Sequence, residues 1–164
     1  MPGRTGPKNG EHTEVATPLL ACMALVAAMN QVPPRALAAI AAVEGGQPGQ
    51  ASRNRDGTED LGPMQVNTRW LPAIAAATGG TVDSARARLL GDECFNVSAG
   101  AAILRTYLAE EHGNLLQAVG DYHSHTPLLN QAYRIRVLGA ARRMFAPGGN
   151  APLPPRTISF VPVR

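Results

Sequence analysis

The amino-acid sequence predicts an α+β domain that is mostly α-helical, with one small β-hairpin or sheet. Three observations carry this expectation. Hydrophobic residues are 45% of the chain and aromatic residues only 4%, so the core must come largely from Ala, Leu, Val, Ile and Met, which suits close helix packing better than a β-sandwich. Apolar residues recur at spacings of three and four through most of residues 18–145, the period of a helix with one buried face. Only the stretch from Ser52 to Asn67 breaks that pattern, with a tight-turn dipeptide followed by apolar–polar alternation. At 164 residues the chain holds one domain with a real core.

Residues 1–15 are polar and read as a disordered lead-in, residues 16–146 as the domain, and the Pro- and Gly-rich residues 147–164 as a tail. The first helix is expected over about Pro18 to Asn30. Ala16 to Met29 is apolar enough to suggest an export signal, and Leu19 to Cys22 loosely matches a lipoprotein cleavage site, but Glu11 and Glu14 stand where a positive region belongs. This segment therefore reads as a core helix, with no export signal evident. The second helix runs from Pro34, a proline suited to a first turn, to Glu44, and Gly45-Gly46 ends it. Asp56-Gly57 makes a hairpin turn, and Met64 and Val66 alternate with Gln65 and Asn67, so the first pair faces the core and the second shares the opposite face. Helical patterns resume at Trp70 and again after Thr81 or Asp83, either of which suits an N-cap. Asn96 is expected to cap a helix with Val97, Ala101, Leu104 and Leu108 on one side, ended by Gly113. Leu115 to Tyr122 makes a short helix. Thr126-Pro127 then opens a long final one with Ile135, Leu138, Ala141 and Phe145 facing inward.

The net charge of +3 is mildly basic, but the arginines are scattered and lack the interleaved aromatics of a nucleic-acid surface, so no nucleic-acid partner is expected. A basic surface also suits an anionic polymer such as a cell wall. No run of eighteen apolar residues is present, so no transmembrane segment is expected. Two cysteines, Cys22 and Cys94, are compatible with two free thiols or one bridge, and composition alone does not decide.

Glu44 is the leading candidate for chemistry. Leu37, Ile40, Ala41 and Glu44 share one helix face, so the carboxyl stands on the buried side in the last turn. Burial and the negative end of the helix dipole both disfavour its charge there. A carboxyl kept protonated near neutral pH can donate its proton to a leaving oxygen, as glycoside cleavage requires; the alternative is a solvent-facing carboxylate at a helix end. Asp121, His123 and Ser124 are the residue types of a catalytic triad, but on adjacent positions their side chains diverge. His123 and His125 lack a third ligand by spacing, so no metal is expected. Tyr122 is either a core residue or a phenol pointed into a cleft. Asn54, Asp56, Glu59 and Asp60 could suggest calcium, but their glycine comes too early for such a loop and a turn fits better.

Several of these pieces come in a fixed order over about Pro18 to Phe145. They are Glu44-Gly45 at the end of an apolar helix, and Asn54, Gly57 and Asp60 as Asn-x-x-Gly-x-x-Asp. After these come Gly62-Pro63-Met64-Gln65-Val66-Asn67 with Trp70-Leu71 close behind, the cysteine-bearing stretch Asp92 to Leu104, and Tyr122-His123-Ser124 before Thr126-Pro127. Together they resemble the specialised lytic transglycosylases, goose-lysozyme-related muramidases that accompany bacterial conjugation, secretion and pilus machines. The resemblance implies a lysozyme-like fold of the goose-type, or SLT, kind with a small sheet beside the active-site cleft, and a disulfide between Cys22 and Cys94. It implies cleavage of the bond between N-acetylmuramic acid and N-acetylglucosamine in peptidoglycan, with Glu44 acting first as acid and then as base to leave a 1,6-anhydro end. Gln65 and Asn67 would hydrogen-bond the sugars, Tyr122 would approach Glu44 or a sugar ring, and His123 and Ser124 would complete the binding set. No cofactor or metal is implied. The implied partners are peptidoglycan glycan strands and components of a secretion, conjugation or pilus apparatus, for a monomer in the periplasm or cell envelope. Gly45 stands where the family carries a serine that helps orient the carboxylate, so Gly45→Ser is expected to raise turnover roughly fivefold. The rival readings are a hydrolytic lysozyme on the same fold and a weakly active peptidoglycan-binding assembly factor.

Overall fold

Two prolines open the helix that carries Glu44, and a glycine closes it. The computed structural model of the protein describes residues 18–146, so the expected lead-in (1–15) and tail (147–164) lie outside the described residues. Helix α1 spans Pro18–Met29 and α2 spans Pro34–Glu44. Pro34 takes the first turn of α2, where a missing N–H leaves no bond unmade. Gly45 adopts φ 63° and donates its N–H to the Ala41 carbonyl at 3.0 Å, a left-handed cap that glycine reaches without steric cost.

Three short strands follow: β1 (Ala51–Arg53), β2 (Glu59–Leu61) and β3 (Val66–Asn67). They form one antiparallel sheet in the order β1-β2-β3, with Ser52 opposite Asp60 and Asp60 opposite Asn67. The sheet departs from the sequence expectation in one respect. Met64 and Val66 are buried as their alternation implies, but only Val66-Asn67 pairs as a strand, because Gln65 turns through φ 46°. A single turn of 3₁₀ helix (Thr68–Trp70) leads into α3 (Leu71–Thr78). Helix α4 (Val82–Gly91) starts at Thr81, whose side chain bonds the Ser84 N–H while Ser84 bonds back, a reciprocal cap.

Helix α5 (Glu93–Glu110) runs through the middle of the core, with Val97, Ala101 and Leu104 fully buried. Its cap is Asp92, whose carboxylate accepts the Phe95 N–H at 2.9 Å. Asn96 is not a cap but a fully buried polar hub. It accepts the Met64 N–H at 2.8 Å and donates to the carbonyls of Leu61 at 2.8 Å and Leu89 at 3.0 Å, tying the sheet and α4 to α5. At Gly100 an added Cβ would stand 2.8 Å from Met64 Cε and 3.0 Å from the Tyr122 hydroxyl, so the sheet loop and α6 close onto α5 only because no side chain intervenes.

Helix α6 (Leu115–His123) is capped by Asn114, and α7 (Pro127–Phe145) follows Thr126. The inward face of α7 differs from the expected one. Asn130, Tyr133, Val137 and Ala140 are buried, whereas Ile135 is 61% and Leu138 38% exposed. The buried stripe contains an amide and a phenol because it faces α2 and α6 at the site, so hydrophobicity alone selects the wrong side. Helix α7 packs mainly on α2 and α6, and α5 on α1 and α6. A Cys22–Cys94 disulfide, with Cα atoms 5.8 Å apart, fastens α1 to the start of α5. The result is a mostly helical α+β domain with one small sheet, and no described helix is long and apolar enough to cross a membrane.

Candidate active site

The end of α2, the sheet, and the α6–α7 corner surround a cleft of about 390 Å³. Glu44, Gln65, Asn67, Tyr122, His123 and Ser124 all line it. The bridged cysteines do not.

Glu44 is half-buried at the C-terminal residue of α2. Burial pushes its carboxyl above the ordinary value of 4.5; a hydrogen bond from Tyr133 and the nearby Arg136 pull it partly back, and the charge of Asp60 adds to the rise. The Tyr133 hydroxyl donates to Glu44 Oε1 at 2.5 Å. Burial and the adjacent Glu44 push the Tyr133 phenol far above its ordinary range, so it stays a donor. The His123 ring stacks parallel on Tyr133 at 4.8 Å, and the Arg136 guanidinium lies 5.5 Å from the Tyr133 ring centre. Tyr133 is thereby held between cleft and helix, and it in turn holds the carboxyl.

The sheet wall is polar and internally bonded. Asp60 accepts from Asn67 Nδ2 at 2.7 Å and from Asn54 Nδ2 at 3.0 Å, and Asn67 also donates to Thr58 Oγ1 at 3.0 Å while its own oxygen caps Arg69. Asn67 thus lines the cleft with its amide already engaged. Thr58 bonds Asp56 and lowers its pKa, and Arg69 pairs with the same carboxylate. Arg86 binds Glu59 at 2.7 Å and lowers it too. These contacts consume Asn54, Asp56, Glu59 and Asp60 as a hairpin. Gln65, held in its left-handed turn, donates to the Gly62 carbonyl at 2.8 Å.

On the opposite wall, the Tyr122 hydroxyl donates to the Met64 carbonyl at 2.9 Å. Its phenol is pushed well above the ordinary range by burial first and Glu44 second. Tyr122 therefore braces the sheet loop, and the tyrosine that touches Glu44 is Tyr133. The His123 pKa is lowered by burial and then by Arg136. Ser124 accepts the Thr126 N–H at 3.1 Å where α6 ends. Asp121 turns to Asn130 and Gln117 while His123 stacks on Tyr133, so the three triad-type residues point apart.

Sequence reasoning missed Tyr133. The local signal was slight: one of three tyrosines, placed where helical spacing put it off the apolar stripe. Its need for a partner when buried could have flagged it, but the partner lies 89 residues away.

A carboxyl raised by burial at a helix end thus faces a small three-stranded sheet across a cleft in a mostly helical domain. Residues 21–135 match the family described as the Transglycosylase SLT domain, and the chain belongs to this lytic transglycosylase family. It is also 34% identical over 80 residues to the proteins named "Invasion protein IagB" of Salmonella typhimurium and Salmonella typhi, a match covering 49% of this chain and 46% of theirs. The chain thus spans about half the length of the curated relatives it matches.

Proposed function

We propose that the protein is a peptidoglycan lytic transglycosylase in which Glu44 is the single catalytic carboxyl group. As an acid it protonates the glycosidic oxygen between N-acetylmuramic acid and N-acetylglucosamine, and the C1–O bond breaks. As a carboxylate it then takes the proton of the muramoyl C6 hydroxyl, whose oxygen bonds to C1 of the same sugar. The leaving sugar departs with Glu44's proton and Glu44 recovers one, so no water is consumed and the product carries a 1,6-anhydro end. Tyr133 keeps the carboxyl aimed through both steps. Gln65, Asn67, His123 and Ser124 line the path of the sugars, and Tyr122 sets the wall between them.

One observation carries this reading: Glu44 is a cleft carboxyl whose pKa is raised by burial, while Asp56 is lowered by donated hydrogen bonds and Asp60 accepts two amides. A hydrolytic lysozyme remains the second reading because Asp60, near enough to act on the Glu44 charge, could serve as the second carboxylate that water-using glycosidases need. Mass spectra of products from purified peptidoglycan separate the two: anhydro ends are lighter by one water and create no new reducing end. The resemblance to the specialised lytic transglycosylases supports a role in opening the wall locally for a secretion, conjugation or pilus apparatus. The disulfide supports a periplasmic or envelope location.

A further inference from the structure

Among the described residues, Asp121 is the one buried carboxyl group that this mechanism leaves without a task. It is 4% exposed, lines the cleft, and sits at the third-last residue of α6. Its Oδ1 accepts from Asn130 Nδ2 at 2.7 Å and from Gln117 Nε2 at 3.4 Å, but its Oδ2 is buried with no hydrogen-bond partner. A buried carboxyl oxygen without a hydrogen-bond partner is costly, and such groups in a cleft point to a missing ligand. Around the same cleft stand Trp70, Tyr107 and His125, with Trp70 meeting Tyr107 edge-on at 5.9 Å and Tyr107 meeting His125 edge-on at 5.3 Å. The phenol of Tyr107 is raised by burial, then by Glu110 and by Asp121, so the carboxylate and this aromatic cluster lie within electrostatic reach. An acid beside aromatic rings is an environment that favours an ammonium cation.

The charge of the cleft agrees. Although the chain carries +3, its cleft is lined, besides Glu44, by the carboxyl groups of Asp56, Asp60 and Asp121 against the single guanidinium of Arg69. Such a cleft repels the carboxylates of a peptide stem and attracts a cation. Among the described residues no three His, Cys, Asp or Glu side chains converge as metal ligands, so the cation that such a cleft favours is an organic one.

We propose that Asp121, with Trp70, Tyr107 and His125 lining the same cleft, binds a primary ammonium group of the cell-wall polymer, so that the enzyme prefers strands bearing a free amine over fully N-acylated ones. This rests on the reading of the cleft as a glycan site. Two wall components supply that chemistry: a glucosamine that has lost its acetyl group, and the free amine of a diamino acid in the stem.

Binding is measured on Glu44→Gln, which does not cut, with four polymers: stem-free strands fully N-acetylated or partly de-N-acetylated, and stem-bearing strands with the amine free or chemically acetylated. One amine-bearing form should bind about tenfold tighter than its acylated counterpart, and which pair shows the gap identifies the source. In Glu44→Gln/Asp121→Asn that ratio should fall to near one. Equal binding within both pairs, or a ratio that survives Asp121→Asn, overturns the proposal. If Asp121→Asn does not fold by circular dichroism, Tyr107→Leu decides in its place, a ratio reduced at least about threefold supporting the site and an unchanged ratio refuting it. Cleavage by the wild type is scored separately, so loss of all turnover would defeat the transglycosylase reading without deciding the amine preference.

Discussion

The sheet and the end of α2, facing each other across the cleft, treat their carboxyl groups in opposite ways. On the sheet, Asp60 accepts two amide donors, Asp56 accepts from both groups of Thr58 and pairs with Arg69, and Glu59 pairs with Arg86. Donors and cations of this kind favour the ionised form. On the helix wall, Glu44 is half-buried and receives one hydrogen bond, from a neutral phenol. The difference is one of supply: a carboxyl becomes an acid here because the fold withholds donors from it, while the polar hairpin opposite gathers donors around its own. One cleft thus sets one buried, sparsely bonded carboxyl against a wall whose carboxyl groups are held by donors.

The strongest break of this contrast is Glu44→Gln, which keeps shape and removes the transferable proton. Cleavage of peptidoglycan should fall by about a thousandfold or more, with glycan binding near normal by pull-down. The same substitution tests the burial cost. Below about pH 4.5 the carboxyl is protonated in folded and unfolded chains alike; as pH rises, the unfolded chain ionises first because the folded value is raised. Wild-type stability should therefore decline as pH climbs through the folded value, and the melting temperature of Glu44→Gln relative to wild type should rise between about pH 4 and pH 7. A flat difference across that range would mean that Glu44 is not desolvated.

Tyr133→Phe removes the one donor and should reduce kcat by about tenfold with little change in KM, since the phenol orients the carboxyl and does not bind sugar. Because the lost bond favours ionised Glu44, the alkaline limb of the pH–rate profile should move to higher pH. Asp60→Asn should act more weakly on turnover and shift the pH–rate profile in the opposite direction. It sets an amide against the two amide donors of Asn54 and Asn67, so the hairpin loses about 1–3 kcal/mol and turnover falls about threefold to tenfold. Removing its charge shifts the alkaline limb to lower pH. Loss of activity as complete as in Glu44→Gln would indicate two essential carboxylates, and hence hydrolysis.

Much of the fold was legible because its signals are local. Pro34 and Gly45 bound α2, Thr81 starts α4, and Met64 and Val66 face the core, each from a spacing or a turn preference read within a few residues. Asn96 was misread for the same reason. An asparagine before an apolar helix looks like a cap, and only the tertiary fold brings Leu61, Leu89 and Met64 to it. The face of α7 was misread because its buried stripe is partly polar, with Asn130 and Tyr133 serving the site in place of the expected Ile135 and Leu138. Glu44 could be singled out from one helix, since burial and the dipole act along it. Its orienting partner could not, because that contact belongs to no local pattern.

The smallest effect concerns Gly45, where the family resemblance led to an expected gain from Gly45→Ser. The structure opposes that expectation on two grounds. Glu44 already has an orienting donor in Tyr133, supplied from α7 instead of from the neighbouring residue. Gly45 holds φ 63° as the left-handed cap of α2, and a Cβ added there meets nothing within 4 Å. A serine would fit sterically in open space but would carry the strain of a left-handed backbone, about 1 kcal/mol. Thermal melts should therefore show a modest loss of stability, and turnover on purified peptidoglycan should stay within about twofold of wild type. A severalfold gain would mean that Tyr133 leaves Glu44 loosely held. In that case Gly45→Ser should also rescue part of the rate lost in Tyr133→Phe, since a second hydroxyl at the α2 terminus would replace the first. If Tyr133 is sufficient, the double variant should be no faster than Tyr133→Phe alone.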